Sequence, residues 1–319
     1  MSVALQVRDL TVTYRTDAGL VRAVDDASFD VTAGERLGLV GESGSGKTTT
    51  MLALMRMLRP PGRCERGSAI VDGTDLLALP QSAMRAHRMR TITYIPQGAM
   101  NALNPVLPVL AQIRNALVDH GEPAASVSAR AAAALAGVNL DAAVLRRYPH
   151  ELSGGMKQRV CIALATLLRP KVIIADEPTS ALDVVTQRQV METLGAQQAE
   201  SGAALVLIGH DIGLMAQFVH RLAVMYAGRL VETGTIREVL TAPRHPYTRA
   251  LIGSVPQLRR RGVLGGIPGV TPSLRDLPPG CAFHPRCDVA QGRCTAERPN
   301  LEGRDDAHRV ACHYALGAP

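Results

Sequence analysis

The sequence predicts an α/β chain with a helical insertion, ending in a small cysteine-rich tail. Three observations predict it. Short continuous apolar runs at 36–40, 172–175 and 205–208 suit strands buried on both faces, as in a parallel sheet covered by helices. Helix-length segments at 48–58 and 184–200 alternate with those runs. After Pro243 the texture changes: Pro and Gly become frequent, apolar periodicity fades, and four of the six cysteines appear. A boundary near Ala242 divides the chain into 1–242 and 243–319.

Taken in order, residues 4–14 and 27–31 alternate apolar and polar positions, as half-buried strands do. The run at 36–40, the glycines after it and the segment 48–58 read as a strand, tight turn and helix. Residues 92–95 form a further short strand. From about 98 to 168 the chain reads mostly as helix, Ala-rich around 130–136. There is no internal repeat.

With 319 residues, 46% of them hydrophobic, the chain can bury a large core. Aromatics make up 3% and Trp is absent, so Ala, Val, Leu and Ile must fill that core. The composition is not that of a disordered chain. No apolar run approaches the roughly 18 residues that cross a bilayer. The first residues lack the basic-then-apolar pattern of a signal peptide. The expectation is a chain kept in the cytoplasm that meets a membrane only through another protein. The formal charge is +7, and from Arg244 onward 11 Arg stand against 6 Asp or Glu. Such a patch suits nucleic acid or a solvated surface beside a membrane or an acidic partner. The expectation is the solvated surface.

Gly41-Glu42-Ser43-Gly44-Ser45-Gly46-Lys47-Thr48 fits G-x-x-x-x-G-K-[ST]. Glycines let the backbone curl until successive N–H groups point at phosphate oxygens. The following helix, with Thr49 in its first turn, adds its positive end. Lys47 would neutralise the β- and γ-phosphates of ATP, and the Thr48 hydroxyl would ligate Mg²⁺. The apolar run at 172–175 ends in Asp176 and Glu177. Charged groups at the end of a buried strand need a partner or a job. Beside a phosphate-binding loop, Asp176 suits Mg²⁺, and Glu177 suits a water facing the γ-phosphate. Ser153-Gly154-Gly155, with Gln158 beyond, opens the apolar segment 160–168 as a second phosphate-ready helix start.

Leu152-Ser153-Gly154-Gly155 resembles the signature loop of ABC ATPases, and the other landmarks of that family follow in order over residues 3 to about 240. Tyr14 falls where an aromatic stacks on adenine. Gln97, after Tyr94-Ile95-Pro96, resembles the glutamine that links Mg²⁺ to the transmembrane partner. Ser180-Ala181-Leu182-Asp183 resembles the loop joining the two sites of a dimer. His210 resembles the switch histidine that touches the γ-phosphate. The resemblance implies a P-loop cassette with a RecA-like core, an antiparallel β subdomain and a helical subdomain. It further implies a head-to-tail dimer with ATP held between the loop of one cassette and the signature of the other. A coupling helix of a permease is expected against residues 97–117.

Cys281, Cys287, Cys294 and Cys312 form C-x5-C-x6-C-x17-C. In a cytosolic chain, clustered cysteines favour metal over disulfides. Spacing does not choose between zinc and an iron–sulfur cluster. The segments 280–287, 309–313 and 245–251 look like the tail of oligopeptide and dipeptide importer ATPases, which some members use for a [4Fe–4S] cluster. The resemblance therefore favours that cluster, with Zn²⁺ as the alternative; His284, His308 or His313 could replace a ligand. Cys64 and Cys161 read as buried thiols.

The resemblance implies an ATPase at the cytoplasmic face of the membrane. Its expected partners are a second ATPase chain, two permeases and an external substrate-binding protein, with no nucleic acid. Peptides are the expected cargo; nickel, glutathione or oligosaccharides are carried by related systems. A soluble ABC ATPase acting on nucleic acid or ribosomes is a different reading, supported only by the basic tail. A third is a redox sensor in which the tail gates the ATPase.

Overall fold

The computed structural model describes residues 2–17, 19–98, 102–254, 266–303, 308–315 and 317. In chain order the elements begin with strands β1 (Val3–Thr16), β2 (Gly19–Thr32) and β3 (Arg36–Val40), then helix α1 (Lys47–Leu54). Next come β4 (Gly62–Val71), β5 (Thr74–Asp75), α2 (Gln81–His87), β6 (Ile92–Ile95), α3 (Val109–Asp119), α4 (Val127–Ala136) and α5 (Gly154–Thr166). Then follow β7 (Val172–Asp176), α6 (Val184–Ser201), β8 (Ala204–Ile208), α7 (Ile212–Phe218), β9 (Arg221–Tyr226) and β10 (Arg229–Thr235). The chain closes with α8 (Ile236–Thr241), α9 (Pro246–Gly253), α10 (Gly292–Ala296) and β11 (Arg309–Val310).

The chain forms two compact units. The first comprises Met1–Leu5, Val31–Glu35 and Val71–Val206. Here β6, β7 and β8 are sheet neighbours in that order. The β6–β7 pair is parallel, with Ile92 opposite Val172 and Ile95 opposite Ala175. Every residue of β7 is buried, as its unbroken apolar run requires. Helices α3, α4, α5 and α6 pack successively against one another. Their apolar stripes, such as Val109, Ile113 and Leu117 on α3, are spaced for one face of a helix.

The helical reading of 97–117 holds from Val109 onward. Among the described residues, helix begins only at Val109, after Pro108 at its N-cap. Pro105 and Pro108 explain the delay, since each restricts the residue before it to extended backbone. Helix α1 likewise stops at Leu54 rather than 58; Arg56 just beyond takes a left-handed φ of 49°.

The second unit comprises Gln6–Asp30, Arg36–Ile70 and Leu207–Pro319. β3 lies parallel to β9, Leu37 opposite Arg221 and Val40 opposite Val224. β9 turns through Ala227-Gly228 into antiparallel β10, and β11 adds to the far side of β10. A second sheet places β1 between β2 and antiparallel β4, with Tyr14 opposite Gly62. The residues beyond α8, where the sequence places its boundary, pack in this unit with β9 and β10. Tyr226, Tyr247 and Phe283 pack there in tilted and edge-to-face pairs at centroid distances of 4.6 to 5.4 Å. Three of the nine Tyr and Phe residues thus meet where the tail packs on β9. Beside them, Glu232 of β10, 0% exposed, accepts hydrogen bonds from the N–H groups of Arg244 and His245 and from His308 Nε2. The Nε2 of His308 is thereby taken up by Glu232.

Candidate nucleotide site and cysteine tail

In the second unit, β3 delivers the chain into the loop 41–46 and then α1. Gly46 caps α1 in left-handed backbone, φ 102°, with no side chain bonded to the helix end. No acidic residue stands in the first turn of α1. The helix start keeps its donors and its partial positive charge for an anion. Gly41 is buried, while Ser43, Gly44 and Thr48 are exposed and Thr49 half-buried. Lys47 is only 8% exposed, and its Nζ donates to Gly41 O and Glu42 O, both at 2.8 Å, and to Ser45 Oγ at 3.3 Å. The loop's own carbonyls thus hold the ammonium against the loop.

His210 is exposed just past β8, and the neighbouring Gly209 N–H donates to Leu39 O of β3 at 3.4 Å. Asp211 caps α7 by accepting from Leu214 N at 2.9 Å. Tyr14 is half-buried on β1, with its ring over Gly62, where a Cβ would lie 2.5 Å from it.

The first unit carries the carboxylates. β7 ends at Asp176, 1% exposed, whose Oδ2 accepts from Tyr94 Oη on neighbouring β6 at 3.0 Å. Burial, then the nearby carboxylate, holds the Tyr94 phenol well above its usual range, so it stays a donor. Glu177 turns out of the strand with a positive φ of 45°, and its Oε2 accepts from Gln97 Nε2 at 2.8 Å. The structure thus brings together Gln97 and Glu177, two residues 80 positions apart that the sequence assigns separately.

Ser153 caps α5, its Oγ accepting from Met156 N at 3.3 Å. Gly154 follows half-buried. Gly155 packs so closely that a Cβ would lie 2.5 Å from the Thr186 methyl on α6. Gln158 points inward, 3% exposed, and its Nε2 has no hydrogen-bond partner among the described residues. Asp183 caps α6, accepting from Val185 N, Thr186 N and Thr186 Oγ1 at 2.6 to 3.1 Å. Those bonds, the Thr186 hydroxyl first, hold its carboxyl below the ordinary range.

In the tail, Cys281, Cys287, Cys294 and Cys312 line one small cavity with Phe283, and all four are free thiols. Burial raises the Cys281 and Cys287 thiols and pushes Cys312 up to about 11. Among the described residues, no three His, Cys, Asp or Glu side chains are arranged to hold a metal ion. The expected burial of the other two cysteines is right for Cys161 only; Cys64 is exposed, in the exposed run 63–67 of strand β4. Sequence reasoning also missed the contact between tail and loop. Arg286 grips the carboxylate of Glu42 at 2.7 and 3.0 Å, and Tyr247 Oη accepts from Glu42 N at 2.8 Å. No spacing rule signals a pair 244 residues apart.

These features find their parallel in known proteins. Residues 24–180 match the family described as ABC transporter, and residues 231–294 the family described as oligopeptide/dipeptide transporter, C-terminal region. The dipeptide transport ATP-binding protein DppD of Escherichia coli (strain K12) is 42% identical over 316 residues, 98% of this chain and 97% of that protein. The chain belongs to the ABC transporter ATP-binding family. Another member, the oligopeptide transport ATP-binding protein OppD of Salmonella typhimurium, is 43% identical over 315 residues, 98% of this chain and 93% of its own. A solved dimeric structure of the ATP-binding cassette MJ0796, bound to ADP and Pi, aligns with TM-score 0.65 at 26% identity. It covers 73% of this chain and 99% of that one. As in that family, the chain is an ATPase of the P-loop cassette type. No helix among the described residues is long and apolar enough to cross a membrane.

Proposed function

We propose that this chain is the ATP-hydrolysing subunit of an ABC importer of di- or oligopeptides. The observation that carries the reading is that one chain joins the cassette to the peptide-transporter tail, and resembles both DppD and OppD over nearly its whole length. ATP supplies the phosphates for which the loop's N–H groups and Lys47 are laid out. Thr48, Gln97 and Asp176 are the residues to hold Mg²⁺, which would neutralise developing charge on the phosphates. Glu177 takes the proton of the attacking water, and its bond to Gln97 orients the carboxylate for that task. His210, Tyr14, Ser153, Gly154, Gly155, Gln158 and Asp183 keep the roles the family pattern gives them.

The partners of this reading are a second, different ATPase chain, two permeases and an external binding protein. The chain works at the cytoplasmic face of the membrane, and the segment 97–117 receives a permease helix. The four tail cysteines would hold a [4Fe–4S] cluster of structural or regulatory role. Support comes from their shared cavity and from the donor set, since four thiolates suit such a cluster. A tagged pull-down from gently solubilised membranes, made without oxygen, tests these points together. Two multi-spanning permeases, a second ATPase, and iron with sulfide in the purified chain are expected. Ribosomal or DNA-bound proteins without a permease would overturn the transporter reading. Zinc, or no metal, would overturn the cluster.

A further inference from the structure

Glu42 is the second residue of the phosphate-binding loop, at a position where the motif accepts any residue. Here it is held from both main chain and side chain. Arg286 Nη1 donates to Oε2 at 2.7 Å and Nη2 to Oε1 at 3.0 Å, a parallel two-bond fork. Thr271 Oγ1 donates to Oε2 at 3.1 Å, and the Glu42 N–H donates to Tyr247 Oη at 2.8 Å. All three partners belong to the tail beyond residue 243.

Arg286 is itself fixed on every side. Its side chain is 5% exposed, and Nε donates to Pro268 O at 2.7 Å. The guanidinium lies 5.8 Å from the ring centroids of both Tyr226 and Phe283. The turn that carries it is closed by His284 N donating to Cys281 O and Cys287 N donating to His284 O. On the other side of the link, Glu42 O accepts from Lys47 Nζ at 2.8 Å and from Ser45 N at 3.2 Å. A single residue thus connects Arg286 outward to Lys47 inward.

We propose that Arg286 is a positioning residue for nucleotide binding: by gripping Glu42 it fixes the first turn of the phosphate-binding loop and cancels a carboxylate that would otherwise repel the phosphates. The claim rests on the reading of the loop as an ATP site. Two physical effects act in the same direction. A loop held in its binding conformation loses less freedom when the ligand arrives. A carboxylate already paired with a guanidinium opposes an anion less than a bare one does. The tail is then part of the nucleotide site rather than an accessory, and whatever the four cysteines bind acts next to the residue that sets affinity.

The test titrates the full-length chain with a fluorescent ATP analogue and measures KM and kcat for ATP alongside. Arg286→Ala is expected to raise Kd and KM about tenfold while kcat at saturating ATP changes much less, because only ground-state positioning is lost. Arg286→Lys, which keeps the charge and loses the fork, recovers part of the affinity. In a Glu42→Gln background, Arg286→Ala adds less than about twofold, since the pair acts as one unit. Folded Arg286→Ala that binds the analogue within about twofold of wild type, with only its melting temperature lowered, would overturn the proposal. If Arg286→Ala does not fold, Arg286→Lys and Glu42→Gln decide: unchanged Kd in both is the overturning result. A wild-type chain that binds no nucleotide would instead sink the ATP reading, and this proposal with it.

Discussion

The geometry of the loop is tested most sharply by adding one methyl group at Gly46. Its φ of 102° lies where L side chains are strained, at a cost of about 1–3 kcal/mol. A Cβ there would also stand 2.5 Å from the backbone oxygen of Ala23 and 3.2 Å from Met225 Cε. Ordinary C···O approach is about 3.3 Å, so the start of α1 must retreat by most of an ångström. That shift moves Lys47 and the helix N–H groups off the phosphates. Strain and displacement together come to roughly 3 kcal/mol or more, about a hundredfold in nucleotide affinity. Gly44 provides the internal control. It has φ 78° but no atom within 4 Å of a Cβ, so Gly44→Ala adds strain alone. About 1–2 kcal/mol follows, tenfold or somewhat more. Titration with a fluorescent ATP analogue, with circular dichroism melts to confirm folding, ranks the two variants. Gly46→Ala binding within about twofold of wild type, or more tightly than Gly44→Ala, would show that the start of α1 does not set phosphate contact.

Three further outcomes are expected. Glu177→Gln retains ATP binding, accumulates a closed, ATP-loaded dimer by size-exclusion chromatography, and slows turnover about a hundredfold or more; normal turnover would show that Glu177 is not the base. Thr235→Ala breaks the capping box in which Thr235 Oγ1 accepts from Glu238 N and the Glu238 carboxylate accepts from Thr235 N. It should cost about 1 kcal/mol, seen as a melting temperature a few degrees lower with nucleotide affinity unchanged. Arg286 holds the Glu42 carboxyl below its usual range. Its stabilisation is therefore complete above the ordinary carboxylate value and lost as pH falls through the lower folded value. Chemical denaturation across the acid range should show that loss in wild type and a flatter profile in Glu42→Gln.

How much of this was legible in the sequence follows from what kind of constraint each feature obeys. Phosphate binding demands glycines and a lysine at fixed spacing, so residues 41–48 announce themselves. A strand buried on both faces must be apolar throughout, so β3, β7 and β8 appear at almost their true limits. The carboxylates of Asp176 and Glu177 stand out because they end such a strand. Elements set by packing were harder. Segment 97–108 reads as helix by composition, yet its prolines postpone α3 to Val109. Cys64 lies in the exposed run 63–67 of its strand, which its residue type does not reveal. The links of Arg286 to Glu42 and of His308 to Glu232 join residues 244 and 76 positions apart. Only the folded chain brings such pairs together.

On the proposed function, this ATPase powers uptake of peptides. The most direct measurement is ATP turnover by the purified transporter complex in lipid, with its binding protein added either empty or loaded with peptide. Turnover should rise severalfold with the peptide-loaded protein and disappear in Glu177→Gln. Turnover by the wild-type complex that is indifferent to peptide, yet responds to another solute, would contradict it.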